Sequence, residues 1–350
     1  WAGAPAWIWP MACGRRSMGP ELLLVPAVAF AVAWAVTWLC CRPGSWLHFL
    51  DQPNERSLHV KPTPRTGGVG VMAGVLAAGL VLAPGAAPTL LAAVGGGLAL
   101  AAVGLVDDRR SLSARWRLVA QLLVAAVFLA LLRPAAGWAF GLLCVVGLVW
   151  MANLYNFMDG SDGLAGGMAL FGFGTLAWAA LAAGQPGLAA LGAGIAAAAL
   201  GFLCFNFHPA RIFMGDSGSV PLGFMAGALG LAGHEAGSWP LWFPLLVFSP
   251  FIADATVTLL RRALRGEKIW QAHRTHYYQR LVRMGFGHRG TALAAYALMA
   301  AAGGSAVAGL PLGFSLQCVM ITMWIFVYMI LGWLIDRAWR RFEAAEAPRP

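Results

Sequence analysis

Apolar runs long enough to cross a bilayer follow one another along almost the whole chain. "ELLLVPAVAFAVAWAVTWLC" at 21–40 and "SLQCVMITMWIFVYMILGWLI" at 315–335 are two of them. A helix rising 1.5 Å per residue needs roughly 20 such residues to cross about 30 Å of hydrocarbon. Stretches near that length fall at 21–40, 67–83, 88–106, 117–133, 137–153, 163–183, 187–205, 219–233, 240–260, 291–309 and 313–335. None alternates with the period of two that a transmembrane β-barrel requires. The chain is 60% hydrophobic and 11% charged, against roughly 25% charged in soluble domains. The expected fold is therefore an all-α polytopic membrane protein of about eleven transmembrane helices, with its site in the polar loops. Residues 21–335 read as one multi-span unit and 336–350 as a tail. Residues 1–20 read as an over-extended start, with Met11 and Met18 inside it, and their apolar part precedes Arg15 and Arg16, the wrong order for a signal peptide. Six scattered cysteines without a CxxC pair suggest neither a zinc site nor a disulfide framework.

The loops divide into two sets. Short, nearly uncharged links at 84–87, 134–136, 184–186, 234–239 and 310–312 alternate with segments holding 21 of the 24 basic residues. Positive charge collects on the cytoplasmic side, so the charged loops and the C-terminus are expected there. That rule accounts for much of the net charge of +10, and no aromatic-plus-basic module for nucleic acid is visible. Asp51, Glu55, Asp107, Asp108, Asp159, Asp162, Asp216 and Glu267 share that side, and Asp254 lies near the same end of the ninth span. A carboxylate at the bilayer centre costs at least about 2.5–3.5 kcal/mol. Transport sites gather near the midplane; these acids gather at one face, as a surface active site requires.

Five polar segments offer chemistry, each beside a plainer reading. In "VGLVDDRRSLSARWR", Asp107 and Asp108 repel each other unless a cation is near. Mg²⁺ together with substrate phosphate would supply one, and so would Arg109 and Arg110 at a helix end. In "NLYNFMDGSDGLAGG", Asn153, Asn156, Asp159 and Asp162 recur every third position. They form a polar ridge if the helix continues, or a ligand-facing turn if the glycines break it. In "FHPARIFMGDSGS", Asp216 precedes a span, either facing a metal-bound phosphate or beside Ser217 or Ser219 as N-cap. The loop "RRALRGEKIWQAHRTHYYQRLVRMGFGHR" holds eight basic residues with His273, His276 and His288. Two nearby histidines are too few for zinc; Arg and His suit a pyrophosphate, or the charge only meets anionic lipid. Asp254, Thr258 and Arg261 or Arg262 share a stripe, read as an internal ion pair. "DQPNERSLHVKPTPRTGGVG" holds Lys61 and Arg65 on a proline-stiffened loop, or is a solvated linker. Carboxylates for a divalent cation and cations for phosphate at one membrane face point to phosphoryl transfer.

These five motifs, in this order, resemble the polyprenyl-phosphate N-acetylhexosamine-1-phosphate transferases over about residues 45–335. The resemblance implies transfer of a HexNAc-1-phosphate from its UDP-sugar to undecaprenyl phosphate, with release of UMP and with Mg²⁺ (or Mn²⁺), at the cytoplasmic face of a bacterial inner membrane. It implies Asp216 as metal ligand with Asn156, and Asp107 and Asp108 beside the metal and the lipid phosphate. Asp107 is the candidate for orienting or deprotonating that phosphate. Asn153 belongs to the same nucleotide–metal row, and Asp159 and Asp162 would contact the nucleoside. Lys61 and Arg117 would sit near the nucleotide, and His273, Arg274 and His276 would hold the pyrophosphate or sugar. The expected partners are UDP-HexNAc, undecaprenyl phosphate and the lipid bilayer, with a homodimer as candidate assembly and no nucleic acid.

Two departures narrow the branch. The last loop reads "HRTHYYQR" where some relatives carry three histidines, and Arg117 stands where some carry Lys. Both lean toward enzymes that start O-antigen and other surface polysaccharides, with GlcNAc or a 6-deoxy sugar such as FucNAc or QuiNAc. They lean away from phospho-MurNAc-pentapeptide transfer. Three other readings fit less well. A lipid transporter would need polar residues along its spans and broken helices near the midplane, and the spans are nearly free of charge apart from Asp254. A CDP-alcohol phosphotransferase would need further spaced aspartates after Asp162, where the next acid is Asp216. An inactive relative would not need every matched acid.

Overall fold

The computed structural model describes residues 19–45, 47–53, 58, 61–268 and 273–346. Most of the expected 1–20 extension lies outside the described residues, as do Glu55 and Arg56. The described chain is nearly all helix: α1 (Glu21–Cys41), α2 (Gly67–Leu82), α3 (Pro88–Arg110), α4 (Ala114–Leu132), α5 (Gly137–Phe157), α6 (Leu164–Ala182) and α7 (Pro186–Asn206) come first. There follow α8 (Asp216–Glu235), α9 (Trp242–Val247), α10 (Ser249–Leu264), α11 (Tyr277–Leu281), α12 (Gly287–Gly309) and α13 (Phe314–Glu346). One two-stranded antiparallel ribbon joins β1 (Leu50–Asp51) to β2 (Thr63–Pro64), with Asp51 opposite Thr63.

Among the described residues, nine helical segments are long and apolar enough to cross a membrane. The chain is thus an all-α polytopic membrane protein, and the two remaining expected spans take other forms. Residues 219–233 lie in α8, whose glycines and polar first turn dilute its apolarity. Residues 240–260 divide into α9 and α10 at Phe248. Pro250 explains the break, because it has no N–H to continue α9 but fits the first turn of a new helix. The expected tail is not separate either: α13 continues as helix to Glu346.

Packing separates the helices that build the site from those that meet lipid. The interior helix α7 packs on α1, α2 and α6, while α8 packs on α3 and α5. The apolar stretch of α13 is wholly unburied, and exposed Met323, Phe326, Ile330 and Trp333 follow one helical stripe along it. Close approach at the charged ends needs small residues. A Cβ added to Gly104 of α3 would run into the Asp216 carbonyl at the start of α8. Gly104→Val is expected to cost about 1–3 kcal/mol through overpacking, read as a lower unfolding midpoint in detergent. Gly95→Val on the same helix points into open space and should leave the midpoint within the range of an ordinary surface change, about 0.5 kcal/mol. Equal effects of the two would show that the α3–α8 approach does not depend on Gly104.

Candidate active site

The site lies where five loops meet at the charged ends of the helices. Backbone bonds fasten the 64–68 segment to the 213–214 turn. The Phe213 amide donates to the Pro64 carbonyl at 2.7 Å, and the Gly67 and Gly68 amides donate to Phe213 and Met214 at 2.8 Å each. Arg65 thereby reaches α3, donating to the Asp108 carbonyl and lying 3.8 Å from its carboxylate and 3.7 Å from that of Asp51. The Asp108 carboxylate accepts the amides of Asp216 at 3.3 Å and Ser217 at 3.2 Å. It therefore caps α8 from another helix. Neither Ser217 nor Ser219 acts as the cap; the Ser219 hydroxyl donates instead to the Gly215 carbonyl at 3.0 Å.

Asp107 and Asp108 are both buried, and their partners differ from those expected. Asp107 accepts from the Leu112 amide at 2.5 Å and from Arg117 at 2.9 Å. The same Arg117 nitrogen reaches Asp216 at 3.3 Å. Arg117 and Arg65 thus serve the acid pair, whereas the Arg109 guanidinium lies over the Phe49 ring. Asp216 also accepts from the Asn156 amide at 2.7 Å, which is shared with Ser219 at 2.9 Å.

The row of amides and acids splits where α5 ends at Phe157. Three residues along a helix fall about 60° short of a full turn, so Asn153 and Asn156 face differently. Asn153 donates to Gln121 of α4 at 2.6 Å and to the Val149 carbonyl at 2.7 Å, and it is not among the residues lining the cavity. Asp159 and Asp162 lie beyond the helix and do line it. Burial, then the charges of Asp216 and Asp108, push Asp159 well above the usual carboxylate range. Asp216, at the first position of α8, is also raised, by burial first and then by its contact with Asp107. Asp162 accepts from His208 at 2.6 Å and from the Ala210 amide at 3.1 Å. Three tyrosines hold the neighbourhood of the loop: Tyr278 bonds the Phe157 carbonyl, Tyr296 that of Gly163 and Tyr155 that of Ala165.

These groups enclose a cavity of about 320 Å³ lined by Asp51, Arg65, Asp108, Asn156, Asp159, Asp162 and Asp216 among others. Other expected residues stand apart from its lining. Lys61 and Arg274 are exposed and, like His273 and His276, do not line it. His273 is pushed down to about 4, by burial and then by His276 and Arg262, so near neutral pH it carries no fixed charge. His276 is buried and points at Asp254, 3.2 Å away. Asp254 is not paired with Arg261 or Arg262 as expected. It accepts from Thr258 at 3.2 Å and from the Tyr277 and Tyr278 amides at 2.9 and 3.0 Å, capping α11. Arg261 pairs with Asp336 and Arg262 with Glu267.

Residues given no site role from sequence complete the wall. Asn206 accepts from the Gly163 amide and donates to the Ile212 carbonyl, each at 2.9 Å, joining two motif loops. His288 meets the Ser161 hydroxyl at 2.9 Å and stacks on His208 with ring centroids 5.6 Å apart. Gln279 lines the same cavity. Asn206 stands immediately before the motif that carries Asp216, and Gln279 lies inside "HRTHYYQR"; that placement is the one signal that could have marked them.

Fold and site together define a polytopic α-helical membrane protein with an acidic, oxygen-lined cavity at one end of its helices. Residues 90–234 match the family described as Glycosyl transferase family 4. The chain is 34% identical over 266 residues to a probable undecaprenyl-phosphate N-acetylglucosaminyl 1-phosphate transferase of Bacillus subtilis (strain 168), covering 71% of this chain and 73% of that protein. It is 28% identical over 347 residues to the undecaprenyl-phosphate alpha-N-acetylglucosaminyl 1-phosphate transferase of Yersinia pestis, covering 93% of each. A phospho-N-acetylmuramoyl-pentapeptide-transferase of Geobacillus kaustophilus (strain HTA426) is 36% identical over 192 residues, 46% of this chain and 58% of that one. The chain belongs to the polyprenyl-phosphate N-acetylhexosamine-1-phosphate transferase superfamily, glycosyl transferase family 4.

The Asp254 cap carries a direct test. Asp254→Asn keeps one acceptor oxygen and loses the charge and the second acceptor, a loss of about 1–3 kcal/mol. Hydrogen exchange at the Tyr277 and Tyr278 amides should accelerate by about fivefold or more. Unchanged exchange at both would mean that Asp254 does not hold the loop.

Proposed function

We propose that the chain transfers an N-acetylhexosamine 1-phosphate from its UDP-sugar to undecaprenyl phosphate, releasing UMP, and so starts a cell-envelope polysaccharide. The observation that carries this reading is the convergence of Asp108, Asn156, Asp159 and Asp216, from three motifs, on one cavity, with Arg117 tying Asp107 to Asp216. The names of the Bacillus and Yersinia relatives support undecaprenyl phosphate as acceptor and GlcNAc as the first sugar to try. The sequence departures favour GlcNAc or a 6-deoxy HexNAc. The Geobacillus relative keeps a MurNAc-pentapeptide donor in the comparison.

In the reaction, a lipid phosphate oxygen bonds to the β-phosphorus of the donor. The bond from that phosphorus to its bridging oxygen breaks, and UMP leaves with the electron pair. A phosphate monoester is already largely ionised near neutral pH, so little proton removal is needed. Both Asp107 oxygens are engaged, by the Leu112 amide and by Arg117. This favours Asp107 as the residue that holds Arg117 in place over Asp107 as a free base. Arg117 would then stabilise charge developing on the transferred phosphoryl group.

Mg²⁺, or Mn²⁺ in its place, would neutralise pyrophosphate charge when bound. The cavity fits a hard cation: its acids and amides are oxygen donors, and the raised Asp159 and Asp216 mark a crowd of negative charge. Among the described residues no group of three or more His, Cys, Asp or Glu side chains is arranged to hold a metal ion by itself. Asp216, with Asn156 beside it, would hold the ion and substrate phosphate oxygens would complete the shell. An almost wholly apolar groove of about 300 Å³, lined by Phe140, Leu148, Met151, Ala226, Pro244 and Ile252, would take the isoprenoid chain. Met151 precedes Asn156 by five residues, about 7 Å along α5. The positive-inside rule supports a cytoplasmic site, and the bacterial relatives support the inner membrane as its setting.

The test is UMP release by purified protein with undecaprenyl phosphate, Mg²⁺ and a panel of UDP-GlcNAc, UDP-FucNAc, UDP-QuiNAc and UDP-MurNAc-pentapeptide. Turnover with a HexNAc donor is expected, abolished by EDTA. Asp216→Asn and Arg117→Ala should each lower kcat by about a hundredfold or more. Folded protein that releases no UMP from any donor would overturn the reading.

A further inference from the structure

Thr258, Arg261 and Arg262 of α10, with Arg265 just past its end, face Thr275, Tyr277 and Arg280 across a small recess that shares no lining residue with the acidic cavity. Four guanidiniums meet there. Asp336 bonds Arg261 and Arg280, at 2.5 and 2.8 Å, and Glu267 pairs with Arg262 at 2.9 Å. Two carboxylates against four guanidiniums leave a surplus of positive charge. Arg262 is more than nine-tenths buried, yet its Nη1 has no hydrogen-bond partner among the described residues, and the same holds for Arg280 Nε. A buried guanidinium with an unmet donor is costly unless an anion accepts from it.

Apolar surface lies directly beside this charge. Val257, Leu260 and Leu264 are exposed and spaced three and four apart, which sets them on one stripe of α10. The segment is at the charged ends of the helices, the level of lipid headgroups. Trp339 lies beneath Arg280 and Arg283, and Trp333 beneath Arg337, as aromatic residues do at a membrane interface. A ligand matching both features carries a phosphate at one end and acyl chains at the other.

We infer that the recess between α10 and α11 is a binding site for the phosphate of an anionic phospholipid, whose acyl chains lie along Val257, Leu260 and Leu264. Arginine forks suit phosphate oxygens bidentately. The site's links toward the neighbouring loop include Thr258, which bonds Asp254, and Thr275, which meets His273 at 2.9 Å, and neither Asp254 nor His273 lines the acidic cavity. Its binding does not depend on the proposed reaction.

The experiment uses the full chain, delipidated in detergent and titrated with dioleoylphosphatidylglycerol, with lipid adducts counted by native mass spectrometry. Dioleoylphosphatidylcholine, undecaprenyl phosphate and inorganic phosphate form parallel arms. One saturable phosphatidylglycerol adduct is expected, preferred over phosphatidylcholine and not displaced by equimolar inorganic phosphate. Arg262→Gln and Arg265→Gln should each weaken it by about tenfold, while Arg340→Gln, on the exposed end of α13, should not. Where Arg262→Gln fails to fold, Arg265→Gln and Arg262→Lys, which keeps the charge but loses the fork, decide the matter. Adducts unaffected by either substitution would reduce the recess to general surface attraction. Displacement by inorganic phosphate, or tighter binding of undecaprenyl phosphate lost in Arg265→Gln, would assign it to another ligand and overturn the inference.

Discussion

The carboxylate of Asp108 fastens the start of α8, and the rest of the site depends on that bond. A helix begins with amide hydrogens that have no partner in its own ladder, and at a membrane surface such groups need an internal acceptor. Gly215 precedes α8 with φ 71° and ψ 177°, a conformation reached almost only by glycine, and it has no side chain with which to cap. A Cβ there would meet the Arg65 carbonyl and the Asp108 carboxylate. The cap therefore comes from α3, across the contact that Gly104 permits. Asp216 and Ser219 are thereby placed against Asn156 of α5. No stretch of the chain builds this corner alone, so the site forms only with the tertiary fold.

Negative charge crowded at one face is made tolerable by cations from other loops. Arg65 comes from the β2–α2 connection and Arg117 from the first turn of α4, and each spans two acids. Most acids around the cavity do structural duty as well. Asp162 gathers the 208–210 turn, and Asp107 the 111–112 turn. Asp159 and Asp216 also have a raised proton affinity, from burial first and then from the neighbouring acids. A site arranged this way changes its charge when a cation or a phosphate enters, because each arrival alters the proton affinity of several linked groups.

What the sequence made legible follows from range. Apolar runs reported the helices because crossing hydrocarbon is a demand on each segment separately. The break at Pro250 was equally local, and the missing N–H marks it. The acids at the cavity were marked by their motifs. Asn153 belonged to the same three-residue row, but the rotation between Asn153 and Asn156 turned it to Gln121, a partner 32 residues away. Asp254 was read against its own helix, where Arg261 and Arg262 share its stripe; its partners came from a loop that closes back onto α10. Arg65 acts on Asp108 across 43 positions, and His288 meets Ser161 across 127. Pairings of that range are decided by how helices stack, which composition and spacing do not encode.

The loop carrying His273 and His276 illustrates how a basic segment can be placed by acids. Asp254 receives two amides at the start of α11 and the His276 ring, so the loop is held from behind, away from the cavity. Tyr278, two residues on, sends its hydroxyl forward to the Phe157 carbonyl at the end of α5. Gln279, which accepts the His276 amide at 3.1 Å, reaches the cavity wall itself. Farther back, Asp336 ties the extended end of α13 to Arg261 and Arg280. Contacts thus run from α13 through Asp336 and Arg280 into α11, and from Tyr278 of α11 to the Phe157 carbonyl at the end of α5. The helix whose apolar stretch is wholly unburied is in this way joined by contacts to the segment that precedes Asp159 and Asp162.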